Sequence, residues 1–156
     1  ADVYNNYGVL LLQRGDSGAA ILMYRRAVKL DPTKVEAWAN LGDALDQRGI
    51  HAEATSAFQY VLKLDPSNVR ARIQLAAQYS ALGATGEARR ALEELTRSNP
   101  RDPAGHYALA GFLVTQHELP AALREYDTFL QLAPGVYDQK TLDTVKSYVS
   151  SIRPRP

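Results

Sequence analysis

The chain carries three histidines, His51, His106 and His117. Imidazole is the commonest metal ligand and general base, so these residues come first in a search for chemistry. A helical zinc site needs two of them four residues apart, and no such pair exists. They are expected to be structural or surface residues. Cysteine is absent, which excludes disulfides, thiolate metal sites and cysteine nucleophiles. Gly83-Ala84-Thr85-Gly86 has the glycines of a phosphate loop but no following Lys-Ser/Thr and no preceding strand, so it is expected to be a helix–helix turn. Glu93, Glu94, Glu118 and Glu125 fall into no recognisable pocket pattern, and surface solvation explains them better. No catalytic set, metal site or cofactor is therefore expected, and the chain reads as a non-enzyme. Eighteen Lys and Arg against seventeen Asp and Glu leave a net charge of +1, too small for a dedicated nucleic-acid binder. No run approaches eighteen apolar residues, so no membrane span is expected. The lack of cysteine suits cytoplasm and periplasm equally. Because the chain starts at Ala1 and has no basic-then-apolar leader, it is expected to be a processed form or an excised piece.

What the sequence does contain is a repeat. Pro32, Pro66, Pro100 and Pro134 are each 34 residues apart. Four more columns keep that spacing without a gap: Gly8, Gly42, Ala76 and Ala110; Ala20, Ala54, Ala88 and Ala122; Tyr24, Phe58, Leu92 and Tyr126; Leu11, Leu45, Tyr79 and Leu113. Each unit divides into two helices. Trp38, Leu41, Ala44 and Leu45 share one face of the first, and Ala54, Ala57, Phe58, Val61 and Leu62 one face of the second. Gly15, Gly49 and Gly83 mark the turn between them, and proline closes the second helix. The small column has a packing reason, since a side chain there would hold apart two helices whose opposite column is large. Residues 1–136 thus form four units, 1–34, 35–68, 69–102 and 103–136. Residues 137–156 break the pattern. Leu142, Val145, Val149 and Ile152 make one apolar stripe, which predicts a capping helix at about 138–152. The end, Arg153-Pro154-Arg155-Pro156, is expected to fray.

Trp38, Leu41, Gly42, Leu45, Ala54, Phe58, Val61 and Pro66 resemble the signature of the tetratricopeptide repeat family. The resemblance covers residues 1–136 and implies an all-α, right-handed solenoid of helix–turn–helix repeats. Three departures stand out: Arg72 and His106 in the Trp38 column, Leu95 and Phe129 in the Ala27 column, and His117 in the turn-glycine column. They predict slightly different packing in the third and fourth units. The resemblance further implies that first helices line a concave groove that binds an extended peptide or a helix, and that second helices, with Arg25-Arg26 and Arg89-Arg90, lie outside.

The groove positions are then Asn5, Asn6, Val9, Glu36, Asn40, Asp43, Arg70, Ile73, Gln74, Ala77, Tyr107, Gly111 and Val114. Asn6, Asn40 and Gln74 share a column, and an amide can donate and accept at once, which suits the backbone of an extended chain. The column resembles the asparagine ladder of O-linked N-acetylglucosamine transferases, though Ala108 ends it. Asp2, Glu36, Asp43 and Asp46 make the first half acidic, while Ile73, Ala77, Tyr107 and Val114 make the second apolar. The partner expected is a protein or peptide with basic residues and an apolar anchor. The lysines and asparagines with which some members of the family clamp acidic chaperone tails are matched only by Asn40 and, in charge, by Arg70. Val3, Tyr7 and Leu10 form an apolar strip on the first helix, a surface for self-association or for a further segment. Besides a binding scaffold, two other readings follow: a regulatory or substrate-presenting segment of a larger enzyme such as a glycosyltransferase, and a self-assembling structural unit.

Overall fold

The computed structural model describes residues 1–153. Within them the chain is all α. The helices are α1 (Asp2–Gln13), α2 (Ser17–Leu30), α3 (Val35–Gln47), α4 (His51–Leu64), α5 (Val69–Ala81), α6 (Thr85–Ser98), α7 (Pro103–Thr115), α8 (Leu119–Leu132) and α9 (Gln139–Ile152). The second helices begin at residues 17, 51, 85 and 119, so the 34-residue period survives intact in three dimensions. The chain forms two compact units, Ala1–Ala88 and Arg89 onward, and each is described by itself.

Local chemistry sets the helix ends. Asp16, Asn68, Asp102 and Asp138 cap α2, α5, α7 and α9 by accepting from backbone N–H groups of Ala19, Ala71, Ala104 and Thr141. Asp31 and Asp65 organise the turns behind α2 and α4. Each Oδ1 accepts from the backbone N–H and hydroxyl of Thr33 or Ser67, and these donors hold both carboxyls below the usual range. Gly15, Gly49 and Gly83 take φ of +81°, +69° and +76° at the turn within each pair. His117 takes φ of +61° at the same position, the left-handed conformation that a Cβ disfavours.

In the first unit α1 to α5 share one core, with Tyr24, Leu45, Phe58 and Val61 almost wholly buried. The small column is sterically required here. A Cβ on Gly8 would lie 2.6 Å from the Tyr24 ring, and one on Gly42 would lie 2.7 Å from the Phe58 ring. In the second unit Ala110, Tyr126 and Phe129 pack with Leu142, Val145 and Val149 of α9. Leu95 is accommodated because Gly105 stands opposite, where a Cβ would be 3.3 Å from the leucine. Arg153 leaves the α9 helix, yet its guanidinium bonds both carboxylate oxygens of Asp127 at 2.7 and 3.0 Å, so it is anchored rather than frayed. The rest of the tail expected to fray, residues 154–156, lies outside the described residues.

Three members of the Trp38 column keep one contact despite their change of residue. Trp38 Nε1, Arg72 Nη2 and His106 Nε2 all reach a proline carbonyl six residues back, those of Pro32, Pro66 and Pro100, at 2.8, 2.8 and 3.1 Å. At the three positions that follow a turn proline the column supplies a ring or guanidinium nitrogen, and the departures at Arg72 and His106 keep the same turn contact.

Candidate functional site

The first helices of the first unit carry a polar lattice on the face predicted to form the groove. Glu36 and Asn40 of α3 close over Asn5 of α1. Asn5 Nδ2 donates to Glu36 Oε1 at 3.1 Å, and Asn40 Nδ2 donates to Asn5 Oδ1 at 2.9 Å. Further along, Asp43 accepts from Arg70 Nη2 at 2.5 Å and from Gln74 Nε2 at 3.0 Å. At the other end Lys34 pairs with Asp2; this contact holds the Asp2 carboxyl below its usual range and raises the Lys34 ammonium above its own. Tyr24 lies inside the first unit, its hydroxyl pushed up by burial and then by the carboxylates of Asp43 and Glu36.

This geometry corrects one expectation. Asn5 is only 1% exposed and both ends of its amide are used internally, so it ties α1 to α3 and does not present its amide on that face. Helical periodicity points the residue outward from α1, and only the arrival of α3 covers it. The acidic character of this half is also reduced, since Asp2 and Asp43 are met by Lys34 and Arg70. Glu36 bonds the neutral amide of Asn5. Asn6, Ala77 and Arg70 are exposed, whereas Val9, Asn40, Ile73 and Gln74 are half-buried. Two amides retain capacity. Asn40 and Gln74 each spend one N–H on a neighbour, leaving one N–H and a carbonyl oxygen with no partner among the described residues.

In the second unit Tyr107, Gly111 and Val114 lie along α7. The Tyr107 ring is half exposed and packs on Tyr126 and Phe129, with centroids 5.9 and 5.1 Å apart. Tyr148 of α9, which sequence reasoning did not select, meets the far side of this aromatic group through Tyr126 at 5.8 Å. Burial, with Tyr107 and Tyr148 beside it, pushes the Tyr126 hydroxyl up to about 12. Gly111 stays open, the nearest atom to an added Cβ being the Tyr126 hydroxyl at 4.0 Å.

The second helices border two shallow clefts. Between α6, α7 and α8 lies a cleft of about 390 Å³ that Glu93, Glu118 and Glu125 enter together with Arg89 and His106. Arg89 pairs with Glu118 and Glu93 and lies over the Phe112 ring, while Glu125 bonds His106. Glu93 and Glu118 are thus solvated surface carboxylates that also pair with Arg89, while Glu125 is more covered and bonded to His106. The matching cleft of the first unit, about 310 Å³, is floored by Leu41 and Leu45 and walled by Trp38, whose ring stacks on Tyr60 at 4.4 Å. Among the described residues no cluster of three or more His, Asp or Glu could hold a metal, and no helix is long and apolar enough to cross a membrane.

Paired helices at a strict 34-residue period coincide with what family comparison finds. Two models described as tetratricopeptide repeat match residues 5–69 and 47–112. The chain belongs to the tetratricopeptide repeat family. Such repeats generally mediate protein–protein interaction, and no enzyme family matches. Comparison with curated proteins gave no match. Among solved structures, the chain resembles a crystal structure of MamA with a TM-score of 0.71 at 22% identity, covering 93% of this chain and 91% of that one. A second structure, of MamA residues 41 to the end from Desulfovibrio magneticus RS-1, gives 0.72 at 21% identity over 97% and 93%. At that identity the likeness concerns the tetratricopeptide fold alone.

Proposed function

We propose that the protein is a non-catalytic binding module whose first helices hold an extended segment or a helix of a partner protein. The observation that carries this reading is the state of Asn40 and Gln74. Each is oriented by one internal hydrogen bond and retains one donor and one acceptor. A peptide backbone offers one acceptor and one donor per residue, so the two amides match it without regard to side chains. The charge on Glu36, together with Ile73 and Ala77, favours a partner with a basic residue and an apolar anchor. Tyr107, Gly111 and Val114 would offer such an anchor in the second unit. Selection of peptides from a displayed random library, followed by calorimetry, tests this. The Asn40→Ala, Gln74→Ala double variant, assayed well below its lowered melting temperature, should weaken the selected peptides at least tenfold. Peptides that bind both proteins equally would refute the reading.

A second reading has its own observation. Val3, Tyr7 and Leu10 on α1 are 79%, 50% and 53% exposed, whereas their repeat equivalents Ala37, Leu41 and Ala44 are buried. The strip would suit association with another copy or another helix. Light scattering across concentration tests it, and a monomer at every concentration would count against association between copies.

A further inference from the structure

His106 is buried in the second unit with an oxygen against each ring nitrogen. Glu125 Oε2 lies 2.7 Å from Nδ1, and the Pro100 carbonyl lies 3.1 Å from Nε2. A neutral imidazole has one N–H and can satisfy only one of these acceptors. The Nε2–H tautomer leaves a lone pair on Nδ1 facing a carboxylate, and the other tautomer leaves one facing the carbonyl. Both contacts are made only when the ring carries both protons.

The repeat supplies an internal control. At the two equivalent positions the donors to the turn carbonyl are an indole N–H in Trp38 and a guanidinium in Arg72, neither of which loses its proton in the physiological range. The fourth unit alone uses a ring that ordinarily changes charge between pH 5 and 8. A second difference accompanies the first. The residue 68 positions before Glu125 is Ala57, so the carboxylate arrives in the same unit in which tryptophan gives way to histidine. Several charged groups line the same cleft or lie in the loop before α7. From α6 come Arg89, Glu93 and Arg97, from α8 Glu118 and Glu125, and from the preceding loop Arg101 and Asp102. Arg89 is engaged by Glu93 and Glu118, and Asp102 caps α7. Glu125 is therefore the carboxylate in hydrogen-bond contact with the ring.

We propose that His106 and Glu125 form a proton-operated latch in the second unit, closed while the imidazole holds both protons and released when it gives one up. The closed latch ties the turn before α7 to α8 through one side chain. Release surrenders one charge-assisted hydrogen bond, either to Glu125 or to the Pro100 carbonyl, and loosens the start of α7 beside Tyr107.

The test compares thermal unfolding from pH 5.5 to 8 in the wild-type chain, in His106→Arg and in Glu125→Gln. Arginine restores the pH-invariant donor that Arg72 already provides. Glutamine lets its own N–H bond a neutral Nδ1, so that the Nε2–H tautomer satisfies both contacts. The wild-type melting temperature should fall by about 5 °C over this range, the worth of one charged hydrogen bond in a chain of this size. Either variant should flatten the slope. His51 and His117 remain in all three proteins, so the difference in slope belongs to His106. Nitrogen-15 spectra of the imidazoles should show His106 doubly protonated where the latch is closed and losing a proton in step with the fall in melting temperature. Equal slopes in all three proteins, or a His106 proton lost out of step with that fall, would overturn the proposal.

Discussion

Replacing Gly42 by alanine sets two opposing effects against each other at one atom. In an exposed helix interior the change stabilises by about 0.8–1 kcal/mol, because glycine loses more backbone freedom on folding. Here the added Cβ would lie 2.7, 2.8 and 3.1 Å from three atoms of the Phe58 ring. Carbon atoms prefer about 3.5–4.0 Å, so the ring or the α3–α4 spacing must yield by roughly 1 Å. Phe58 is almost wholly buried among Leu41, Leu45 and Val61 and has nowhere to retreat. Overpacking of this kind costs about 1–3 kcal/mol, so the steric term wins and the net effect is a loss of about 1 kcal/mol. Urea unfolding followed by the fluorescence of Trp38, the sole tryptophan, reports on this unit directly. Gly86→Ala is the matched control, since nothing lies within 4 Å of its would-be Cβ, and it should show no loss. Combining Gly42→Ala with Phe58→Leu reproduces the residue pair of the third unit, Ala76 and Leu92, and should cost less than the two single losses added together. If Gly42→Ala stabilised the protein by the full helix-propensity gain, the packing account of the small column would be wrong.

His117→Gly should raise stability by about 0.5–1 kcal/mol, measured by urea unfolding, because it removes the Cβ penalty at a positive φ. Asn5→Ala should cost about 1–2 kcal/mol by stripping Asn40 and Glu36 of their shared partner, and would show as an earlier urea midpoint with helix content unchanged. The carboxyls of Asp31 and Asp65 are held below the usual range by Thr33 and Ser67. Their contribution is therefore complete above the unfolded-state value near 4 and is lost as pH falls through the lower folded-state values. Melting temperature should drop on acidification below pH 4, and the Asp31→Ala, Asp65→Ala double variant should show a shallower drop.

The sequence revealed most about what is local or periodic. Prolines and glycines at a fixed interval place every turn, and His117 could be assigned to the glycine column before its backbone was seen, because a turn position is defined by neighbours a few residues away. The apolar stripe through Leu142, Val145 and Val149 likewise identified the buried face of α9. Burial across repeats was less legible. Asn5 looks outward on an isolated α1, and the residues that cover it lie 31 and 35 positions later. The His106–Glu125 contact joins two helices and leaves no mark within either one. Its signal lies between columns, where Trp38 with Ala57 becomes His106 with Glu125 at an interval of 68 residues. Reading one column at a time misses an exchange made across two.

The donor column has a consequence for how such chains can be rebuilt. At the turns of Pro32, Pro66 and Pro100 the following helix brings the nitrogen that meets the proline carbonyl, so donor and acceptor belong to opposite sides of the same seam. Removing residues 35–68 would place Arg72 six positions after Pro32, with the spacing of the natural joint. The seams act as interchangeable couplings: lengthening or shortening the array by whole units requires no new chemistry at the splice, provided that the residue presented there carries a hydrogen to give.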